Sequence, residues 1–377
     1  MQIPFSRPSL GPLEVEAVAR AVRDGRIGGN GPIGKAVEQR LADLTGSPHV
    51  LLTPSATQAM DVALMAFGIG PGDEILMPSF AFVSQANAIL ARGARPVFCE
   101  IDPDTLNMCP VDAEARITPR TRMIMPVHYA GVACDLDAFE DLALRKGLLL
   151  FEDAAQCIGS THRGRALGTI GDAGCYSFHE TKNVACGEGG SLFLRDEAVT
   201  SAAEIIREKG TNRCAFMRGE LDRYTWVGPG GSYVLSDVLA ALLDAQLDRI
   251  EEITRERKRV WNLYHAGLEG LEKEGLLTRP FIPAWAGHNA HLYALRARTR
   301  GLRAHLLAGL AARGISATFH FQPLHSAPYA LERLGRTEPL RVTDSAAETL
   351  VRLPLHPELS NEQAERVVEA VIELCEE

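Results

Sequence analysis

The sequence predicts an α/β protein with a mainly parallel central sheet followed by a smaller α+β domain. Three features say so. Between about residues 50 and 200, short apolar segments alternate with helix-length ones and end in Gly, Pro or Asp, the rhythm of strand-helix-strand units. The apolar segments are near-continuous, as expected of strands buried on both faces of a parallel sheet. From residue 235 the spacing of apolar residues turns helical, and a shorter mixed region follows. We therefore divide the chain into a large domain, 1–245, which includes an N-terminal arm, and a small domain, 246–377.

Within the large domain, residues 74–77, 96–101, 122–127, 148–151, 173–178 and 191–194 read as strands, and 60–67, 82–91 and 136–145 as helices. A sheet of this kind binds ligands at the carboxyl ends of its strands, so the residues just after each apolar run are where chemistry is expected. Leu235, Val238, Leu239, Leu242, Leu247, Ile250 and Ile253 then predict one long helix over 235–265, ending in the charged EEITRERKR and bridging the two domains. Beyond residue 270, RPFIPAWAG punctuates the chain, HLYALRAR reads as a strand and 302–313 as an amphipathic helix.

Composition narrows the function. The 39 Lys and Arg against 48 Asp and Glu give a net charge of -9 without long runs of like charge, the wrong footprint for a nucleic-acid binder. Small molecules or proteins are the expected partners. No apolar run approaches the ~20 residues needed to span a bilayer, and MQIPFSRPSLGPLEVEAVAR lacks the pattern of a signal peptide. The eight cysteines form no C-x-x-C pair, which speaks against bound metal and a disulfide framework and for a reducing cytoplasm.

Three segments carry chemistry. LLLFEDAAQ runs an apolar strand into Glu152 and Asp153, with Gln156 beyond. Asp153 reads either as a helix cap or as a carboxylate held for a cationic ring nitrogen. YSFHETKN places Lys182 after another strand, ahead of the glycine-rich Gly187–Gly190, where it is either a solvated lysine or a nucleophile activated by burial. TPSATQAM opens a helix with hydroxyls and free N–H groups, a plain N-cap or a phosphate cup. Phe82 opens another, as core or as a stacking face. Together these are the parts a pyridoxal phosphate site needs: a phosphate cup, an aromatic face, an acid and a lysine.

At this point the sequence resembles a known family. PGDEILMPSFAFVSQANAI, PVHYAGVACDLD, FEDAAQCIGSTHRGRALGTIGDAGCYSFHETKN, EIIREKGTNR and FHFQPLH are similar, in order and along essentially the whole chain, to the DegT/DnrJ/StrS sugar aminotransferases. These have the type I fold of pyridoxal phosphate-dependent transferases. The subgroup most resembled acts on dTDP-4-keto-6-deoxy-D-glucose. The resemblance implies that Lys182 bonds the cofactor covalently, Asp153 pairs with its ring nitrogen, Gln156 contacts its ring hydroxyl and Phe82 stacks on it. Ala56, Thr57 and Ser177 would hold its phosphate. His320 and His325 fall where the family contacts the sugar, and each is equally readable as a structural histidine. Many members carry an Asn that reaches the phosphate in the neighbouring subunit of a homodimer with composite sites; here Ser232 stands in its stead.

The implied reaction moves an amino group from L-glutamate, leaving 2-oxoglutarate, to C4 of the keto sugar. The related sugar 3-dehydratases resemble this chain but carry His at the position of Lys182. A C3 or UDP-sugar or amino-polyol aminotransferase is the nearer rival, and a non-catalytic cofactor-binding regulator a more distant one. Whether the new amine is equatorial or axial is open at this level. Since an acidic chain must here hold anionic ligands, the local cluster Arg207, Lys209, Arg213, Arg218 and Arg223 is either a solvated loop or the grip on the substrate diphosphate.

Overall fold

A computed structural model describes residues 2–336 and 338–377. Thirteen strands occur among them: β1 (His49–Thr53), β2 (Glu74–Pro78), β3 (Arg95–Cys99), β4 (Thr121–Ile124), β5 (Leu149–Asp153), β6 (Thr161–His162), β7 (Arg165–Ala166), β8 (Ala173–Ser177), β9 (Gly190–Leu194), β10 (Leu277–Thr278), β11 (Ala286–Gly287), β12 (Tyr293–Ala297) and β13 (Leu350–Leu353). Seven build the central sheet in the order β1-β9-β8-β5-β4-β2-β3. Its neighbours pair in parallel except where β9 runs antiparallel to both β1 and β8. An apolar run has no direction, so neither the reversal of β9 nor the membership of β1 is written in the sequence pattern.

Both faces of this sheet are covered, which explains the continuous apolar runs. Successive side chains of a strand point to opposite faces. Val50 and Leu52 accordingly enter one core with Leu150, and Leu51 the other with Phe151. The first core is closed by helices Pro32–Thr45, Leu136–Lys146 and Asp237–Asp248, the second by Ala56–Ala66, Ser84–Ala91 and Glu197–Arg207. A third core lies under the small antiparallel sheet β10-β12-β13, between Ile250–Gly267, Arg300–Ala312 and Asn361–Glu376. A fourth cluster, with Phe80, Ile101 and Tyr129 against Leu292, Ala294 and Leu350, seams the third core to the sheet.

The single long helix expected over 235–265 is two helices, broken at Arg249, which sits at φ -107°. The break sends Leu247 into the first core and Val260, Trp261 and Tyr264 into the third. Arg249 itself turns to the N-terminal arm, donating to the Ser9 carbonyl at 3.0 Å and to Glu14 at 2.9 Å. We keep 1–245 and 246–377 as the proposed division, with exchanges across it: Ile3 packs in the third core, and Leu324, Ala330 and Leu340 in the second.

The end of β5 fixes the geometry of everything around it. Glu152 is fully buried and accepts from the N–H groups of Gly168 (2.8 Å), Ile170 (2.6 Å) and Gly171 (2.7 Å), and from His128 Nε2 at 3.0 Å. The His128 Nδ1 accepts from the Cys134 N–H at 3.1 Å, which places the ring proton on Nε2, toward the carboxylate. Burial raises the Glu152 pKa, but the His128 bond and the backbone N–H groups outweigh it and hold the carboxyl below the ordinary range. A depressed native value means stability that is present above the unfolded value, about 4.3, and is lost as pH falls through the native one. Glu152→Gln, which gives up that charge, is expected to lower unfolding free energy by about 2–4 kcal/mol in urea titrations and to flatten the acid limb of stability against pH.

Candidate active site

The carboxyl ends of the strands open on a cleft of 630 Å³ between the large domain and the β12-β13 side of the small one. Its floor follows from strand register. Thr53 of β1 pairs with Gly190 of β9, and Gly190 with Ser177 of β8, so three strand ends lie in one row. Beside that row helix Ala56–Ala66 begins. Ser55 caps it, its Oγ accepting from Gln58 N–H at 3.2 Å, while the first-turn N–H groups of Ala56 and Thr57 have no carbonyl behind them. Thr57 Oγ1 lies 2.7 Å from Ser84 Oγ at the start of the next helix. A Cβ on residue 190 would stand 2.4 Å from Ala56 N, so only glycine lets β9 come this close. The result is a ring of donors at a positive helix end, a seat for phosphate.

Phe82 also lines the cleft, 63 % exposed, whereas Phe80 two residues earlier is 1 % exposed in the seam. An exposed aromatic lining a cleft fits a stacking face, and the core alternative for Phe82 does not hold. Helix Ser84–Ala91 begins two residues later than the spacing suggests, which leaves Phe82 free of it.

Asp153 lines the same cleft. Because it follows Glu152 on a strand, it points the other way, into the cleft. It is buried and accepts one hydrogen bond, from Ala155 N–H at 3.1 Å. Burial pushes its carboxyl up, moderated by that N–H and by Lys182. Lys182 sits in the turn after β8, with its N–H bonded to the His179 carbonyl at 2.9 Å. Half-buried at the cleft wall, its amine is pulled below the ordinary lysine range mainly by desolvation and also by Arg352, against the attraction of Asp153. Gln156 also lines the cleft, its Oε1 taking the Ala130 N–H at 2.7 Å.

The donor set fits pyridoxal phosphate. The cup suits the phosphate, Phe82 one ring face and Lys182 the aldehyde, and the buried Asp153 carboxylate, with a single N–H partner, suits a ring N–H. Among the described residues no cluster of three His, Cys, Asp or Glu side chains is arranged for a metal, and all eight cysteines are free.

The expected substrate contacts divide. His320 lines the cleft, stacked on Phe321 at 3.7 Å between centroids, with Nδ1 3.3 Å from Tyr129 Oη. Its pKa is driven down to about 2 by burial first and then by Arg352 and Lys182, so the ring is neutral. His325 is absent from the lining: its Nδ1 is 2.7 Å from the buried Ser79 Oγ and its Nε2 3.4 Å from Asp344. It ties the segment after Phe321 to Ser79, the residue that follows β2. None of the five cations of the 207–223 cluster lines this cleft either. Arg207 is buried; its Nη1 donates to Glu38 at 2.6 Å and to the Leu52 carbonyl at 3.0 Å and its Nη2 to Asn30 at 3.0 Å, a structural tie between β1 and its neighbours, while its Nε has no hydrogen-bond partner. Lys209 and Arg213 pair with Glu208, and Arg218 with Glu204 and Glu220. Arg223 is exposed, and Ser232 is bridged to Glu208, away from the cleft lining.

Several lining residues escaped the sequence reading. Arg352 and Arg257 come from segments that look like core strand and charged helix, and Phe5 from the N-terminal arm. His291 also lines the cleft; its Nδ1 bonds Asn183 Oδ1 at 2.9 Å, while Asn183 Nδ2 donates to the Asn289 carbonyl at 3.0 Å. Asn289 in turn donates to the carbonyls of Gln156 and Ile158 at 2.9 Å. The Asn183 beside Lys182 was the available signal.

A type I α/β fold with this cleft defines a pyridoxal phosphate-dependent aminotransferase. The comparisons agree. The sequence profile of the DegT/DnrJ/EryC1/StrS aminotransferase family matches residues 8–372, and the chain belongs to that family. It is a sugar aminotransferase. Among solved structures, the aminotransferase TlmJ from Streptoalloteichus hindustanus is 32 % identical over 99 % of both chains, with a TM-score of 0.92. DesV of S. venezuelae, solved with a ketimine intermediate, is 31 % identical over 100 % of this chain and 99 % of its own, with a TM-score of 0.89. The sugar aminotransferase Spr1654 from Streptococcus pneumoniae, described as putative and solved in its PMP form, is 28 % identical over 100 % and 98 %, with a TM-score of 0.92.

Gly190→Ala tests the phosphate seat. The added Cβ must displace the Ala56 N–H, so the dissociation constant for pyridoxal phosphate, measured by equilibrium dialysis, is expected to rise at least about tenfold, equivalent to ~1.4 kcal/mol.

Proposed function

We propose that this enzyme transfers the amino group of L-glutamate to C4 of dTDP-4-keto-6-deoxy-D-glucose, giving a dTDP-4-amino-4,6-dideoxyhexose and 2-oxoglutarate in the cytoplasm. The observation that carries the reading is the convergence of Lys182, Asp153 and Phe82 on one cleft beside a phosphate cup. The 4-keto sugar nucleotide is supported by PVHYAGVACDLD and EIIREKGTNR, the stretches that set this subgroup apart in the sequence. Of these, the first lies at the cleft, through Val127 and the Tyr129–His320 contact.

When bound, pyridoxal phosphate supplies the electron sink and carries the amino group between donor and acceptor. Asp153 holds a proton at the ring nitrogen, and a buried carboxylate does so strongly because water does not compete. Lys182 Nζ, once released, takes a proton from Cα of the donor and later delivers one to C4 of the sugar. Its lowered pKa makes the neutral amine available closer to neutrality than for an ordinary lysine. Gln156 is positioned through Ala130 and Asn289 to meet the ring hydroxyl, and Ala56, Thr57 and Ser177 to hold the phosphate.

We further read the enzyme as a homodimer with composite sites. The segment that carries Lys209, Arg213, Arg218, Arg223 and Ser232 lies outside its own cleft and exposes Trp226 (76 %), Met217 (66 %), Tyr224 and Val227. An apolar surface interleaved with cations suits a subunit contact that brings charge to the neighbour's substrate. Arg207 takes no part in it.

Lys182→Ala is expected to abolish transamination while cofactor stays bound noncovalently; full turnover would remove the assignment. Asp153→Asn is expected to fold normally yet lose at least about a hundredfold in kcat, since each tenfold corresponds to ~1.4 kcal/mol of barrier. Proton NMR of the product is expected to show H4 on an amine-bearing carbon, and amine at C3 would overturn the regiochemistry.

A further inference from the structure

His291, two residues before β12, is 5 % exposed and lines the cleft. Its setting is fixed on every side. Asn183 Nδ2 donates to the Asn289 carbonyl at 3.0 Å, so the Asn183 atom 2.9 Å from His291 Nδ1 is Oδ1, which can only accept. The ring proton therefore sits on Nδ1. Asn289 Oδ1 takes the His291 N–H at 3.0 Å, and the buried Arg257 donates to the carbonyls of Ala290 (3.0 Å) and His291 (2.6 Å). Between them Ala290 is held at φ 52°, a left-handed conformation that a residue with a side chain adopts at a cost.

These devices leave one atom unspent. With the proton on Nδ1, Nε2 presents a lone pair. It has no hydrogen-bond partner among the described residues and is not one of the buried atoms sealed from solvent, so it opens on the cleft. Burial first, then Lys182, Arg257, Arg352 and His320, holds the imidazole well below its ordinary range, so the ring is neutral and accepts a hydrogen bond rather than a proton. Other acceptors of the lining are engaged or peripheral. Asp153 is assigned to the ring nitrogen, Gln156 Oε1 takes the Ala130 N–H at 2.7 Å, and Glu188 is exposed beside His179. An acceptor oriented by two asparagines, a buried arginine and a strained backbone is preorganised for a donor that arrives with the substrate.

We propose that His291 Nε2 accepts a hydrogen bond from the hydroxyl beside the reacting carbon of the sugar, and so selects acceptors that carry that hydroxyl. The proposal rests on the reading of C4 of a 6-deoxyhexose as the reacting carbon. Of the two carbons flanking C4, only C3 bears a donor, because C5 carries the methyl carbon and the ring oxygen. C4 must come to Lys182 Nζ, and Asn183, next in the chain, ties the imidazole to that turn. The C3 hydroxyl is then the group that meets Nε2. The amino donor has no hydroxyl, so its half-reaction does not draw on this contact.

Two ligands and one variant isolate the hydrogen bond. dTDP-6-deoxy-D-glucose, which has a hydroxyl in place of the ketone and does not react, and its 3-deoxy counterpart are titrated by calorimetry into the enzyme loaded with pyridoxamine phosphate. Wild type is expected to bind the 3-deoxy ligand about 10- to 100-fold more weakly, the range for leaving a buried polar group unpaired. His291→Asn keeps a donor for Asn183 Oδ1 but has nothing at the place of Nε2. It is expected to bind the two ligands within about threefold of each other, while its half-reaction with L-glutamate, followed by cofactor absorbance, stays within about twofold of wild type. His291→Gln, whose amide oxygen reaches toward the place of Nε2, is expected to discriminate at an intermediate level. Wild type that binds neither ligand overturns the sugar-nucleotide reading and the proposal with it. Wild type that binds both equally, or a His291→Asn enzyme that still discriminates, overturns the proposal alone. A variant weakened equally toward both ligands and L-glutamate does so too, since that is the result of a purely structural tie.

Discussion

Two adjacent carboxylates at the end of β5 organise the molecule. A strand sends consecutive side chains to opposite faces, so Glu152 and Asp153 must do different work. Glu152 turns inward and is saturated by three backbone N–H groups and His128. That clamp sets the loop leading into β8, and β8 pairs with β5 so that Asp153 lies opposite Cys175, two residues before Ser177. With the loop fixed, the chain leaves β8 in the place where Lys182 shares a cleft with Asp153. The buried charge that does no chemistry holds the one that does.

The same economy recurs at the other walls. Gly190 brings β9 against the start of helix Ala56–Ala66, and the Asn183–His291 and Asn289–Gln156 bonds run from the lysine turn through the segment before β12 to Gln156, three residues beyond β5. Polar side chains of the small domain thereby position groups of the large one. The broken helix at Arg249 serves the same end, letting one half pack on the sheet and the other on the small domain while the arm that carries Phe5 is tied to the bend.

Much of this was legible. Six of the seven sheet strands follow from near-continuous apolar runs, and Asp153 and Lys182 from their place after two of them, whereas Gln156, Thr57, Ser177 and Phe82 were singled out for the site by the family resemblance; all six line the cleft. What escaped has physical reasons. An apolar run does not state its direction, so β9 could not be seen to reverse. Arg207 and Arg352 are the same residue type in charged or apolar company, yet one is neutralised by Glu38 and the other is not, a difference made by residues distant in sequence. His325 sits in a motif shared with His320, and only the fold turns it toward Ser79 and Asp344.

We propose that the cleft binds pyridoxal phosphate through one lysine, Lys182. Borohydride reduction of the holoprotein, followed by proteolysis and mass mapping, tests it directly. A single pyridoxyl-modified peptide is expected, with the label on Lys182. A label on any other lysine, or reduction that leaves the protein unmodified, would contradict it.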